Sequence, residues 1–148
     1  MMARPWEILF ADDSVAHARI AREALEAPGV VAHRFSVAAT GVEALDRMFL
    51  DPPFEAGTRP DLLLLDLDLP VVTGLDVLAA VKRDERTRAV PVVVHARAPR
   101  EEDLAACYAV GANSVVTLPV PLEELAETFR RVVAYWTEVN LILRAEGV

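Results

Sequence analysis

Pro60-Asp61-Leu62-Leu63-Leu64-Leu65-Asp66-Leu67-Asp68-Leu69-Pro70 is the stretch that decides the fold. Four consecutive leucines without alternation suit a strand buried on both faces, the pattern of a central parallel strand. Asp66 then stands where that strand leaves the core. In open α/β sheets the carboxyl ends of the strands are where ligands bind. A carboxylate there is placed for chemistry, although taken alone it could simply end a strand and solvate a loop.

The flanking sequence repeats one strand-helix unit. Trp6–Ala11 reads as a strand that ends in Asp12-Asp13-Ser14, and 14–27 as a helix capped by Asp13 or Ser14 and stopped by Pro28-Gly29. A second strand is expected over 30–38 and a second helix from Gly41 to about Leu50, followed by a proline-bearing loop over 51–60. Beyond Pro70 the reading is helix 74–83, strand 91–96, helix 100–110 stopped by Gly111, strand 114–117, and a last helix from Pro121 or Leu122. Five alternations predict a doubly wound parallel sheet with helices on both faces. No repeat, low-complexity segment or second domain is visible.

Composition narrows the function. At 148 residues the chain suits one domain that needs no covalent or metal staple. Fifteen basic against twenty-three acidic residues give a net charge of −8, unsuited to phosphate backbones or anionic lipid. The lone Cys107, among alanines, reads as a packed side chain, and with no signal-like N-terminal stretch a reducing cytoplasm is expected. No apolar run reaches the roughly 18 residues of a membrane span. Lys82 is the sole lysine.

In a doubly wound sheet the first and third strands are neighbours, which brings Asp12 and Asp13 close to Asp66. Three carboxylates in one crevice repel unless a cation joins them. A hard divalent ion with oxygen ligands answers this, and Mg²⁺ fits best. Asp12 and Asp13 alone could be just an N-cap with a helix-dipole partner. His95 precedes Ala96 and so faces the other side of strand four, where a buried, hydrogen-bonded imidazole is expected.

These residues resemble the receiver domains of two-component response regulators. The likeness runs from Glu7 to about Trp136 and rests on Ile8–Asp13, Thr40-Gly41-Val42-Glu43-Ala44-Leu45, the Pro60–Pro70 stretch with Gly74, Pro91–Val94, Gly111-Ala112-Asn113 and Pro119. The loop before Asp61 and the ending Ala134-Tyr135-Trp136 look like stand-alone regulators paired with phytochrome-type histidine kinases. The resemblance implies a single receiver domain over 1–148, with a core of about 6–136, a tail over 137–148, and a flavodoxin-like strand order 2-1-3-4-5. It also implies a phosphorelay protein rather than an enzyme, limited to self-phosphorylation and self-dephosphorylation. Asp66 would accept a phosphoryl group from a histidine kinase. Asp13 and Asp66 would ligate Mg²⁺ directly, with Asp12 through water and Asp68 by its backbone carbonyl.

Two positions depart from that pattern. The strand-four hydroxyl falls on Ala96, and the lysine expected before Pro119 is Leu118. Lys82 lies too far along its helix to help, which leaves Arg97 as the candidate substitute cation and Arg100 as a poorer one. The departures leave open a receiver-like scaffold that takes up little phosphate. Asp66-Leu67-Asp68 also leaves open a haloacid-dehalogenase-like phosphatase, though Leu69 and Pro70 do not fit one. On the last helix Leu122, Leu125, Phe129, Val132, Trp136 and Val139 form one seam, with Val133 and Tyr135 off it. Phe129, Val133, Tyr135 and Trp136, followed by Leu141-Ile142-Leu143, predict a homodimer surface, the alternative being a tail that folds back onto its own domain.

Overall fold

A computed structural model describes residues 4–144 of the chain. Its elements alternate as expected: β1 (Trp6–Ala11), α1 (Val15–Leu25), β2 (His33–Ala38), α2 (Gly41–Phe49), β3 (Leu62–Asp66), α3 (Gly74–Arg83), β4 (Val92–Ala96), α4 (Glu101–Val110), β5 (Ser114–Thr117) and α5 (Leu122–Ala134). The five strands form one parallel sheet in the order β2-β1-β3-β4-β5. This is the flavodoxin-like arrangement. The second strand begins at His33 rather than residue 30, because its register starts opposite Trp6, where β1 itself begins.

The leucine run is central and closed on both sides. Leu63 and Leu65 pack with Leu9, Val92 and Val94 against α2, α3 and α4, while Leu62 and Leu64 pack with Ile8, Phe10 and Val93 against α1 and α5. All four leucines are buried, each worth about 2 kcal/mol relative to exposure. Local signals set the helix ends. Ser14 Oγ accepts from His17 N–H, Thr40 Oγ1 from Glu43 N–H, and Thr73 shares a reciprocal capping box with Asp76.

Two parts of the last-helix reading need correction. Phe129 and Val133 were expected on a dimer surface, yet both are core residues, 2 % and 0 % exposed. With Leu125 they make an i, i+4, i+8 stripe that faces the sheet and α1, whereas Leu122 and Val139 of the expected seam are exposed. The phase differs because α5 is covered by two neighbours, the sheet and α1, rather than by one. A π-helical turn, Tyr135–Val139, then extends α5. Tyr135 remains half exposed, with Trp136 edge-on to it at 5.4 Å.

After that turn the chain folds back across the amino ends of the strands. Ile142 packs on the core, Arg144 lies over the Trp6 ring, and Leu141 and Leu143 point outward. Residues 145–148 of the expected tail lie outside the described residues.

Candidate functional site

Strand register builds the site. Ala11 pairs with Leu65, and Asp66 pairs with His95, so Asp12, Asp66 and His95 fall in one row across β1, β3 and β4 at the carboxyl edge. Asp12, Asp13 and Asp66 each bring a carboxylate oxygen within 4.8 Å of the others. The expected three-acid crevice exists, with Asp12 buried, Asp66 half-buried and Asp13 exposed.

The three acids are held unequally. Asp12 is fully engaged by the protein: Oδ1 accepts from Ser14 N–H at 2.8 Å, and Oδ2 lies 3.0 Å from both His17 Nδ1 and His95 Nε2. Burial pushes its pKa up, but these hydrogen bonds and the imidazole charge outweigh that, leaving it below the ordinary carboxylate value. Asp66 moves the other way. Burial raises its pKa, the Asp68 N–H at 3.0 Å from Oδ1 opposes this, and the nearby Asp12 charge adds to the rise. Asp66 therefore carries negative charge at a cost that a cation would offset.

Small residues set the loop that follows. A Cβ at Gly74 would overlap the Asp66 carbonyl oxygen, and one at Gly41 would overlap that of Val72, so both helix starts press directly on loop 67–73. Within the loop, Val71 is 96 % exposed and adopts φ 65°, which a β-branched side chain tolerates poorly. Backbone strain in the loop that follows Asp66 is thus part of this structure.

The departures noted in the sequence are real gaps. Ala96 and Leu118 are both buried, and the Leu118 N–H donates to the Ala96 carbonyl at 2.8 Å, so neither residue offers a side-chain donor. Lys82 is spent at the far end of the sheet on the carbonyls of Arg88 and Val90 and on Asn113 Oδ1. Arg100 is turned to Glu102 and Asp103 on its own helix. Arg97 reaches across to His17, with 3.1 Å between its Nη2 and the ring Nε2. Cys107 is buried in the core, and burial raises its thiol pKa.

His95 is buried and hydrogen-bonded as expected, stacked on Phe10 at 5.2 Å and edge-on to Phe129 at 5.8 Å. Its partner is what the sequence reading missed. His95 is two residues beyond Val93, on the α1 and α5 face, the face to which Phe10 and then Asp12 also point. His17 was not singled out at all, although it lies in the first turn of the helix that Asp12 and Asp13 precede.

Residues 8–130 match the response regulator receiver domain family. The chain belongs to that family. Among curated relatives it is 38 % identical over 138 residues to the probable methanogenesis regulatory protein FilR2 of Methanothrix harundinacea, covering 92 % of this chain and 86 % of the relative. It is 31 % identical over 134 residues to the response regulator Rcp1 of a Synechocystis species, covering 90 % of each. The phosphorylated cyanobacterial phytochrome response regulator RcpA superposes with a TM-score of 0.90 at 28 % identity, over 95 % of this chain and 100 % of that one. The Mn²⁺-bound form of Rcp1 gives 0.88 at 29 % identity, with the same coverage.

Receiver domains are signalling proteins of two-component systems that bind Mg²⁺ at an acidic site and interact with histidine kinases. This chain is such a domain, homologous to stand-alone regulators. The match does not favour a dehalogenase-like phosphatase or a bare scaffold. No described helix is long and apolar enough to cross a membrane.

Proposed function

We propose that this receiver domain takes a phosphoryl group onto Asp66 from the phosphohistidine of a sensor kinase, and that the kinase is of the phytochrome type. The observation that carries the proposal is the convergence of the Asp12, Asp13 and Asp66 carboxylates at the end of β3. An Asp66 oxygen attacks phosphorus, the phosphorus–nitrogen bond breaks, and its electron pair returns to the imidazole of the kinase. The product is an acyl phosphate that adds about −1.5 to −2 charges at the sheet edge.

The donor set is all carboxylate and carbonyl at its open side, which suits a hard divalent ion. Asp13 and Asp66 would hold Mg²⁺ with the Asp68 carbonyl, and Asp12 would take part through water. Bound there, the ion offsets charge on the transferring phosphoryl oxygens. The rest is positioning: Asp68 N–H orients Asp66 Oδ1, and the His17 and His95 contacts fix Asp12.

Val15, Val71, Val120 and Leu122 are exposed around the same end of the sheet, which supports docking of a protein partner over the acids. Exposed Tyr135 and Val139, beside a groove lined by Ser114, Val116 and Val132, support a homodimer through the end of α5. The one-domain, cytoplasmic reading rests on the single sheet and the unpaired Cys107.

The test is incubation with acetyl phosphate and Mg²⁺ followed by intact mass measurement. One added phosphoryl group is expected, absent from Asp66→Asn and from samples treated with a chelator. A wild-type protein that gains no mass would overturn the proposal.

A further inference from the structure

A chain of side chains runs from the core through Asp12 to the surface, beginning in β4 and ending one residue past it. His95 Nε2 meets Asp12 Oδ2, His17 Nδ1 meets the same oxygen, and Arg97 Nη2 meets His17 Nε2. His95 lies in β4 and Arg97 is the first residue after it, so the path leaves the strand, crosses Asp12 and α1, and returns to the chain two residues on. Its inner end is clamped by the Phe10 and Phe129 rings around His95, and its outer end is exposed.

The donors and acceptors along this path permit one arrangement. A guanidinium only donates, so His17 Nε2 must accept from Arg97 and carry no proton. The His17 proton therefore sits on Nδ1 and donates to Asp12 Oδ2, which also receives the His95 Nε2–H. The His17 backbone is pinned in turn, because its N–H donates to the Ser14 cap.

Leu118, the residue at the position of the missing lysine, lines a small cavity together with Arg97, His17 and Leu125. Arg97 therefore occupies the neighbourhood from which the absent ammonium would have approached. Left alone, an arginine on an exposed loop would sample many rotamers and pay to be ordered at the moment of reaction. The contact with His17 removes that freedom in advance.

We infer that His17 is a positioning residue which, braced by Asp12 and His95, holds Arg97 where its guanidinium meets the phosphoryl group arriving at Asp66. This rests on the phosphoacceptor reading above. Arg97 supplies the cation, and His17 acts only through it.

The experiment is a time course of phosphoryl uptake at saturating acetyl phosphate and Mg²⁺, read by intact mass, for the wild type, Arg97→Ala, His17→Ala, the double variant and His17→Gln. Arg97→Ala should slow uptake by about tenfold or more, as loss of a charge-stabilising donor does. His17→Ala should match it within about twofold, and the double variant should be no slower than the slower single, since the pair acts as one unit. His17→Gln should recover most of the rate, because its amide can donate to Asp12 and accept from Arg97. A merely structural role for His17 predicts instead that its loss and that of Arg97 multiply.

Wild-type uptake in His17→Ala or Arg97→Ala, or multiplicative losses, would overturn the inference while leaving Asp66 as the acceptor. If wild type gains no phosphoryl group, or Asp66→Asn still does, the phosphoacceptor reading falls and this inference with it. Thermal unfolding of each variant in the same buffer checks the fold. Should His17→Ala unfold, Arg97→Ala and His17→Gln decide the matter by the same criteria.

Discussion

The two ends of the sheet treat buried charge in opposite ways. At the amino end, Asp61 is enclosed by Arg4, which grips both carboxylate oxygens at 2.9 and 3.0 Å, by Glu7 N–H at 2.8 Å and by Arg144 at 3.3 Å. At the carboxyl end, Asp66 accepts one backbone hydrogen bond and faces other acids. One carboxylate is saturated and its pKa is lowered; the other is short of positive charge and its pKa is raised. The comparison shows where this fold keeps its stability and where it keeps a site waiting for a ligand.

Asp61→Ala gives the sharpest test of that contrast. It would remove the carboxylate that Arg4, Arg144 and the Glu7 N–H share, so a loss of about 3 kcal/mol is expected from urea denaturation. A loss below about 1 kcal/mol would mean that the amino end is not the fastened one. Next in size is Lys82→Met, which removes the ammonium that ties α3 to the segments before β4 and β5. It should cost about 2 kcal/mol by the same measurement.

At the other end the expected signs reverse. Val71→Gly, which accepts the left-handed backbone at residue 71, should raise stability by about 1 kcal/mol, visible as a higher Tm. The smallest effect belongs to Asp66→Asn in metal-free protein, a slight gain at neutral pH that added Mg²⁺ reverses in favour of the wild type.

The pH dependence follows from the two shifts. Asp61, with a folded pKa below its unfolded value, contributes stability above that unfolded value, which is lost as pH falls through the folded one. Asp66, with a folded pKa above its unfolded value, binds more protons folded than unfolded in the window between them. Stability therefore falls as pH rises through that window. Acid titrations should show a weaker low-pH loss in Asp61→Asn than in wild type, and no such weakening in Asp66→Asn.

Much of this was legible in the sequence, for physical reasons. The unbroken leucine run suits a strand covered on both faces, and Gly74 to Arg83 is marked by its helical periodicity and the charged turn after it. The three acids followed from strand order alone. What the sequence hid depends on contacts between elements. The phase of α5 is set jointly by the sheet and α1, so a single seam left out Val133, which is core, and took in Leu122 and Val139, which are exposed. The partner of His95 depends on register across three strands. His17 acquires meaning only once α1 is laid over the end of β1, which brings it to Asp12 and Arg97.

The returning tail makes the protein report on itself. Arg144 sits 4.2 Å above the Trp6 ring, and the chain's other tryptophan, Trp136, lies in the turn just before that tail departs. Peeling the tail away would uncover the first indole to water and shift its emission to the red, with the second as an internal reference. Intrinsic fluorescence thus offers a label-free view of whether events at the acidic edge are felt on the far side of the sheet.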